Sequence, residues 1–185
     1  MEKLFTKKIF LAILIFSFSI LIIASDNPIQ KESYFSSFLV QDLEYHNRYI
    51  SNIGLEIYWE FSENDSLYMV LKAPVTGWIS IGFDATRRMA NAKIIIAGFE
   101  SEKVILEEHI GTSQISHRKI NEKYITNFKG ERTSSNSFVE FEIPLKDSRY
   151  NIKKGEIINV IIGFHNSSDS FTRRHTQRST VEVIF

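Results

Sequence analysis

Side chains alternate between apolar and polar over several stretches that begin at Leu55. Leu55, Ile57 and Trp59 fall on one side of the first stretch, and glutamates fall on the other. Because successive side chains of a β-strand point to opposite faces, this period of two predicts a strand with one buried face. Turn-forming residues at 62–66 separate it from a second alternating stretch at 67–73. The two stretches therefore predict a β-hairpin.

The same pattern continues along the rest of the chain. It predicts further strands at residues 78–83, 93–99, 103–107, 138–145, 157–164 and 179–185. The pattern weakens over residues 111–136, where we expect one or two short strands within long loops. In the strand at 138–145 the alternation places Glu140 and Glu142 on the outer face. About nine short strands with frequent turns and no helical period predict an all-β, two-sheet antiparallel sandwich of the immunoglobulin-like kind.

The first 25 residues have the pattern of an export signal. Lys3, Lys7 and Lys8 precede an uncharged, apolar run at residues 9–24, which is typical of a secretory signal peptide. The run is short for a membrane span of about 20 residues, yet isoleucines near Ala24 make the cleavage site unclear. We therefore predict a signal peptide or an uncleaved N-terminal anchor helix over residues 1–25.

Export would place the domain outside the cytoplasm, as a secreted, periplasmic or extracellular protein. If residues 9–24 are retained, they would anchor it to the membrane. Residues 26–50 form a polar leader for which the sequence predicts no structure. Residues 51–185 are expected to form the β-sandwich domain.

Charge and cysteine content exclude several classes of site. The 25 N-terminal residues carry three lysines and one glutamate, so the remainder has 19 basic and 21 acidic residues. This balance gives no electrostatic surface for nucleic acid or for an anionic membrane. The chain has no cysteine, which excludes disulfides, thiolate metal sites and covalent attachment of c-type haem.

Motifs of the common enzyme classes are also missing from the sequence. There is no glycine-rich phosphate loop, no G-x-S-x-G elbow and no H-E-x-x-H pair. The cluster at residues 107–109, Glu-Glu-His, fits either a cation site or a solvated strand end. Tyr45, Tyr49, Tyr58 and Tyr68 fit either a sugar-stacking surface or ordinary strand positions. The sequence thus favours a binding or redox module over an enzyme, without deciding the question.

Four segments in order carry a more specific signal. Residues 76–99 read TGWISIGFDATRRMANAKIIIAGF, with a methionine in the loop between two strands. Residues 108–112 read EHIGT, residues 138–145 read FVEFEIPL, and residues 168–178 contain D-x-F followed by H-x-x-R. These segments resemble the DOMON family over residues 51–185. The main departure is Lys93, where the family more often has aspartate.

The resemblance implies a sandwich that binds b-type haem or sugar. In the haem-binding branch, the haem enters one end of the sandwich, and a loop methionine and a histidine near the last strand hold the iron. The matching positions are Met89 and His175, with His117 and His165 as reserve ligands. The other residues expected at the cofactor are Trp78, Phe83, Arg174 and Arg178.

A thioether and an imidazole leave no coordination position open and raise the iron's potential. The function implied is therefore electron transfer with a redox partner protein or a small electron donor or acceptor. Two alternatives stay open at the level of the sequence. The domain could be a carbohydrate-binding module that uses Trp59, Trp78 and the tyrosines, or an adhesive sandwich without a small ligand.

Overall fold

The computed structural model describes residue 33 and residues 35–146 and 149–185. All regular structure within these ranges is β-strand, and no helix there could cross a membrane. The segment predicted to direct export, residues 1–25, lies outside the described residues.

Thirteen strands follow one another along the described part of the chain. They are β1 (Phe35–Ser36), β2 (Glu44–Tyr45), β3 (Asn47–Ile50), β4 (Glu56–Phe61), β5 (Ser66–Ala73), β6 (Ile79–Phe83), β7 (Lys93–Glu100), β8 (Lys103–Gly111), β9 (His117–Lys119), β10 (Phe128–Arg132), β11 (Ser137–Pro144), β12 (Ile157–Phe164) and β13 (Gln177–Ile184).

The strands form two main antiparallel sheets that pack face to face. One sheet has five strands in the order β10-β11-β5-β4-β3, and the other has six in the order β13-β12-β6-β7-β8-β9. Ile81 lies at the middle of the six-stranded sheet, where it pairs with Ile95 on one side and Ile162 on the other. The predicted two-sheet β-sandwich is confirmed, and the predicted short strands within residues 111–136 are β9 and β10.

The core lies between the two sheets and uses one face of each strand. Met69 and Phe141 from the five-stranded sheet meet Ile81 and Ile95 from the six-stranded sheet, and all four are fully buried. Burial of apolar side chains on this scale is the main stabilising contribution to a domain of this size.

A third, small layer covers the outer face of the five-stranded sheet. Strands β1 and β2 pair with each other, and Tyr45 packs with Tyr58 and Val70 in a second apolar cluster. Strand β3 also belongs to the five-stranded sheet. The domain therefore begins before residue 51, and part of the leader for which the sequence predicts no structure belongs to it.

Glu140 is buried beneath this third layer, which corrects the expectation that it faces solvent. Its carboxylate accepts hydrogen bonds from the Phe38 and Leu39 amides at 2.9 and 3.0 Å, from the Tyr45 hydroxyl at 2.7 Å and from Ser37 Oγ. The negative charge raises the pKa of Tyr45, in addition to the larger effect of burial. Period two correctly assigns Glu140 to the outer face but cannot show that another segment covers that face.

Candidate functional site

A cavity of about 340 Å³ lies on the outer face of the six-stranded sheet. Its floor comes from residues that alternate with core residues along β6, β7 and β12. Ile94, Ile96 and Ile161 provide apolar walls, and Gly82 and Gly163 leave the backbone bare between them. The family resemblance implies a site at one end of the sandwich. The structure has this cavity against the outer face of one sheet.

The sequence of two strands explains why this outer face is apolar. Residues 93–99 and 157–164 are apolar at nearly every position, a pattern typical of strands covered on both faces. One face of β7 packs in the core. On its other face, Ile94 and Ile96 pack with Trp78 in a separate buried cluster. The long apolar runs therefore require something on the outer face that shields it from water.

Met89 reaches the cavity from the loop between β6 and β7. The Ala92 amide donates to the Met89 carbonyl at 3.0 Å, and the Asn91 amide donates to the Gly111 carbonyl at 3.0 Å. The first bond closes the loop on itself, and the second ties it to the end of β8. Gly111 is required there because a Cβ at this position would lie 1.5 Å from the Met89 carbonyl oxygen.

Lys93, the departure from the family pattern, closes the base of the same loop. Its ammonium forms an ion pair with Asp84 at 2.5 Å. The loop also turns through left-handed backbone conformations at Asp84, Arg88 and Asn91, with φ of 58°, 54° and 63°. Aspartate and asparagine tolerate this conformation better than most residues.

His175 reaches the cavity from the segment between β12 and β13. The following residue, Thr176, donates its amide to the Phe164 carbonyl at 2.8 Å. A Cβ at Gly163 would lie 3.5 Å from the His175 Cβ, in ordinary van der Waals contact, so the histidine segment rests against β12. Burial lowers the pKa of His175, and the charges of Arg178 and Arg174 lower it further. The imidazole is therefore neutral at pH 7 and has a free lone pair.

Met89 and His175 line the same cavity, and their backbone segments are anchored at different strands. The Met89 loop is bonded to the end of β8, whereas His175 rests against β12. Strands β6 and β7 lie between β8 and β12 in the sheet, a separation of about 14 Å at the usual strand spacing. The two residues therefore reach the cavity from backbone segments on either side of β6 and β7.

Arginines surround the mouth of the cavity. Arg88 and Arg178 line both the cavity and an adjoining groove of about 540 Å³, to which Arg174 also contributes. All three are exposed, and no ion pair joins them to another described residue. The mouth is therefore suited to anionic groups such as carboxylates.

A chain of hydrogen bonds reaches the cavity from the β8–β9 edge of the sheet. Glu107 Oε2 lies 3.0 Å from His109 Nε2, and His109 Nδ1 lies 2.9 Å from His117 Nδ1. His117 itself lines the cavity. Lys119 also pairs with Glu107, at 2.5 Å. Glu107 and His109 thus belong to a hydrogen-bonded chain and not to a solvated strand end, and no group of three or more metal-binding acidic or histidine side chains occurs among the described residues.

The environments of these groups set their charges. Burial lowers the pKa of both histidines, and in His117 the neighbouring His109 and His175 add to the effect. Burial would raise the pKa of Glu107, but Lys119 and His109 outweigh it and the pKa is lowered. The stable arrangement is therefore a carboxylate beside two neutral imidazoles.

Comparison with known proteins identifies the family. Residues 52–165 match the sequence profile of the DOMON domain. The chain belongs to the DOMON family. Among curated protein sequences, none matches this chain.

Two solved structures share the fold of this DOMON domain. The cytochrome b domain of pyranose dehydrogenase from Coprinopsis cinerea is 10% identical, with a TM-score of 0.62 over 82% of this chain and 86% of that chain. The cytochrome domain of Myriococcum thermophilum cellobiose dehydrogenase is 11% identical, with a TM-score of 0.58 over 80% of this chain and 86% of that chain. At such low identity the likeness shows the fold alone.

The structure separates the site residues expected from the sequence into two groups. Met89, His175, Trp78 and Arg178 line the cavity, and Arg174 lines the adjoining groove. Phe83 does not line either space. It is fully buried on the inner face of β6, where its ring meets Tyr150 and Phe185 in the core. Phe83 is one residue beyond Gly82, and each step along a strand changes the face.

The two reserve histidines also differ in position. His165 Nδ1 accepts hydrogen bonds from the Ser167 and Ser168 amides at 3.2 and 2.9 Å, so it caps a turn and is not a cavity ligand. His117 lines the cavity. The sequence gives no sign of its link to His109, because the link depends on the pairing of β8 with β9.

The aromatic residues considered for sugar binding do not form an exposed surface. Tyr45 and Tyr58 are buried under the third layer, and Trp59 is buried in the main core. Trp78 is buried against the cavity. Tyr49 and Tyr68 are half-buried, so none of the described aromatic residues considered for sugar binding is fully exposed.

Proposed function

We propose that this DOMON domain binds b-type haem in the outer-face cavity, with Met89 and His175 as axial ligands, and transfers single electrons. The observation that carries the proposal is that these two side chains line one largely apolar cavity, from backbone segments anchored at β8 and β12. A thioether and an imidazole are a ligand pair that haem iron accepts in electron-transfer proteins.

The residues around the cavity fit such a group. A flat, largely apolar cofactor needs a slot without protruding side chains, and Gly82 and Gly163 provide one against the sheet. A Cβ at Gly82 would lie 2.8 Å from Ile161 Cγ1 and would push that wall into the cavity. Trp78 Nε1 is buried without a hydrogen-bond acceptor in the described protein, which is rare for an indole unless a ligand or water completes the site.

The charged residues fit the polar side of the cofactor. Haem b carries two propionates, and Arg88, Arg174 and Arg178 stand at the mouth of the cavity without an ion pair to any carboxylate in the described part of the chain. Guanidinium groups bind carboxylates in a bidentate geometry. The isoleucines would therefore hold the apolar part of the cofactor, and the arginines would bind its propionates.

Haem b would supply reversible one-electron chemistry, and the protein would set its conditions. Met89 and His175 would hold both axial positions, so no position stays open for a substrate. The isoleucine walls would exclude water, and the neutral His175 would present its lone pair without first losing a proton. These roles suit an electron carrier that exchanges electrons with a partner protein or a small molecule.

The comparisons support the proposal at the level of the fold. Both similar structures are described as cytochrome domains of dehydrogenases, so the same sandwich is used elsewhere for this role. Export of the domain is part of the proposal and rests on the sequence of residues 1–25 alone.

The test is reconstitution of the purified protein with haemin, followed by absorption spectroscopy of the oxidised and reduced forms. We expect stoichiometric uptake and a six-coordinate, low-spin spectrum. His175→Ala should lose this spectrum, and Met89→Leu should shift its band positions, because leucine fills the space without a sulfur. His46→Ala provides the matched control, since His46 is on the surface beside Glu60. Protein that takes up no haem would contradict the proposal.

A further inference from the structure

His117 lies beside Met89 on one wall of the cavity. It pairs with Gly111 in the β8–β9 register, and Gly111 is the residue against which the Met89 carbonyl packs. Both side chains line the cavity. His175 stands on the opposite wall, next to β12. Two side chains able to bind iron therefore share the β8 side of the cavity, and one occupies the β12 side.

The hydrogen-bond chain fixes which nitrogen of His117 is free. The Glu107 carboxylate can only accept, so His109 donates from Nε2. In a neutral imidazole the other nitrogen is then an acceptor, so His109 Nδ1 accepts from His117 Nδ1. His117 in turn retains a bare lone pair on Nε2. Metal-binding histidines are usually prepared in this way, with the second nitrogen donating to a fixed acceptor.

We propose that His117 is a second ligand on the Met89 side, able to take the axial position when the thioether is removed. This inference rests on the proposed haem function and concerns which side chains of this chain can hold the iron. The cavity then supports two ligand sets, Met89 with His175 and His117 with His175. The second set has the lower reduction potential, because an imidazole replaces the thioether that raises it.

The test uses spin state and midpoint potential of haem-loaded variants, not electron-transfer activity. Met89→Leu should remain six-coordinate and low-spin by electron paramagnetic resonance, with a potential below that of the wild type. Met89→Leu combined with His117→Leu should become high-spin. Added imidazole should restore the low-spin state in the double variant, which shows that its cavity still holds haem.

A further variant tests the hydrogen-bond chain itself. His109→Leu in the Met89→Leu background removes the acceptor that fixes the His117 tautomer, so part of the protein should become high-spin. His46→Leu in the same background is the matched control and should leave the spectrum unchanged, since His46 contacts Glu60 away from this chain.

The outcomes separate this inference from the proposed function. If Met89→Leu is high-spin or loses haem while the wild type is low-spin, His117 does not replace Met89 and the inference is wrong. If His117→Leu has no effect in the Met89→Leu background, the sixth ligand comes from elsewhere, which also overturns it. Failure of the wild type to bind haem would instead contradict the proposed function.

Discussion

Replacement of Glu140 by glutamine tests whether the third layer is held by a buried carboxylate. Glu140 and Glu142 occupy equivalent outer-face positions on β11, so the sequence treats them alike. The structure distinguishes them, because Glu140 is 0% exposed, whereas Glu142 is half-buried. Glu142→Gln is therefore a matched control with the same chemical change on the same strand.

The contacts of Glu140 set the expected magnitude. One oxygen accepts from the Phe38 and Leu39 amides, and the other accepts from the hydroxyls of Tyr45 and Ser37. Glutamine can keep the amide bonds through its carbonyl oxygen, and the hydroxyls can rotate to accept from its amino group. The four hydrogen bonds would then no longer have a charged acceptor. At roughly 0.5 kcal/mol for each bond, the free energy of unfolding should fall by about 2 kcal/mol.

Glu142 should tolerate the same change. It accepts from Ser66 Oγ at 2.6 Å and from Asn127 Nδ2 at 3.0 Å, and its partial exposure lets water replace these bonds. We expect a loss of about 0.5 kcal/mol.

Urea unfolding followed by circular dichroism and tryptophan fluorescence measures both variants. With a slope of about 2 kcal/mol per molar urea, Glu140→Gln should lower the midpoint by about 1 M, and Glu142→Gln by about 0.25 M. Equal shifts in the two variants would refute the reasoning, because burial under the third layer would then have no energetic consequence.

Three other changes test the cavity and its surroundings. Gly82→Val should weaken haem uptake in a spectroscopic titration, since the valine Cβ would press on Ile161. The same contact should reduce the unfolding free energy by about 1–3 kcal/mol. Unchanged haem affinity would contradict the assignment of Gly82 to the floor of the cavity. Arg178→Glu should speed the transfer of haem to apomyoglobin, whereas Lys154→Glu, a change at an exposed residue in the turn before β12, should not; equal rates would exclude a role for Arg178 in propionate binding. Because His109 and His117 have pKa values below the ordinary 6.5, the unfolded state binds more protons as pH falls through 6.5. The apo protein should therefore lose stability on acidification by up to about 1.4 kcal/mol per pH unit for each histidine, and His117→Gln should flatten that dependence in urea titrations; stability that rises on acidification would contradict the sign.

Much of the fold follows from local patterns in the sequence. The alternation in residues 55–61 and 67–73 identifies β4 and β5 because each has one face in the core. Strands β1 and β2 escape prediction because they have two residues each. So short a strand carries no measurable period, and its stability comes from contacts with Glu140 and Tyr58 that are distant in sequence.

The site depends more heavily on long-range pairing. Family resemblance leads to Met89 and His175, and the structure brings both to one cavity. The resemblance does not predict the position of Phe83, because it identifies the segment near the cofactor but not the face of the strand on which a side chain lies. It also does not predict the hydrogen bond between His109 and His117, which forms because β9 pairs with β8. The apolar runs in β7 and β12 are a local signal that the outer face is covered, although they do not say by what.

Iron X-ray absorption spectroscopy of the haem-loaded protein tests the central claim most directly, because it counts the atoms bound to iron by element. The account predicts one sulfur neighbour in the wild type, from Met89, that disappears in Met89→Leu while a full set of nitrogen neighbours remains. A wild-type spectrum with nitrogen neighbours alone, or a sulfur signal that survives in Met89→Leu, would contradict it.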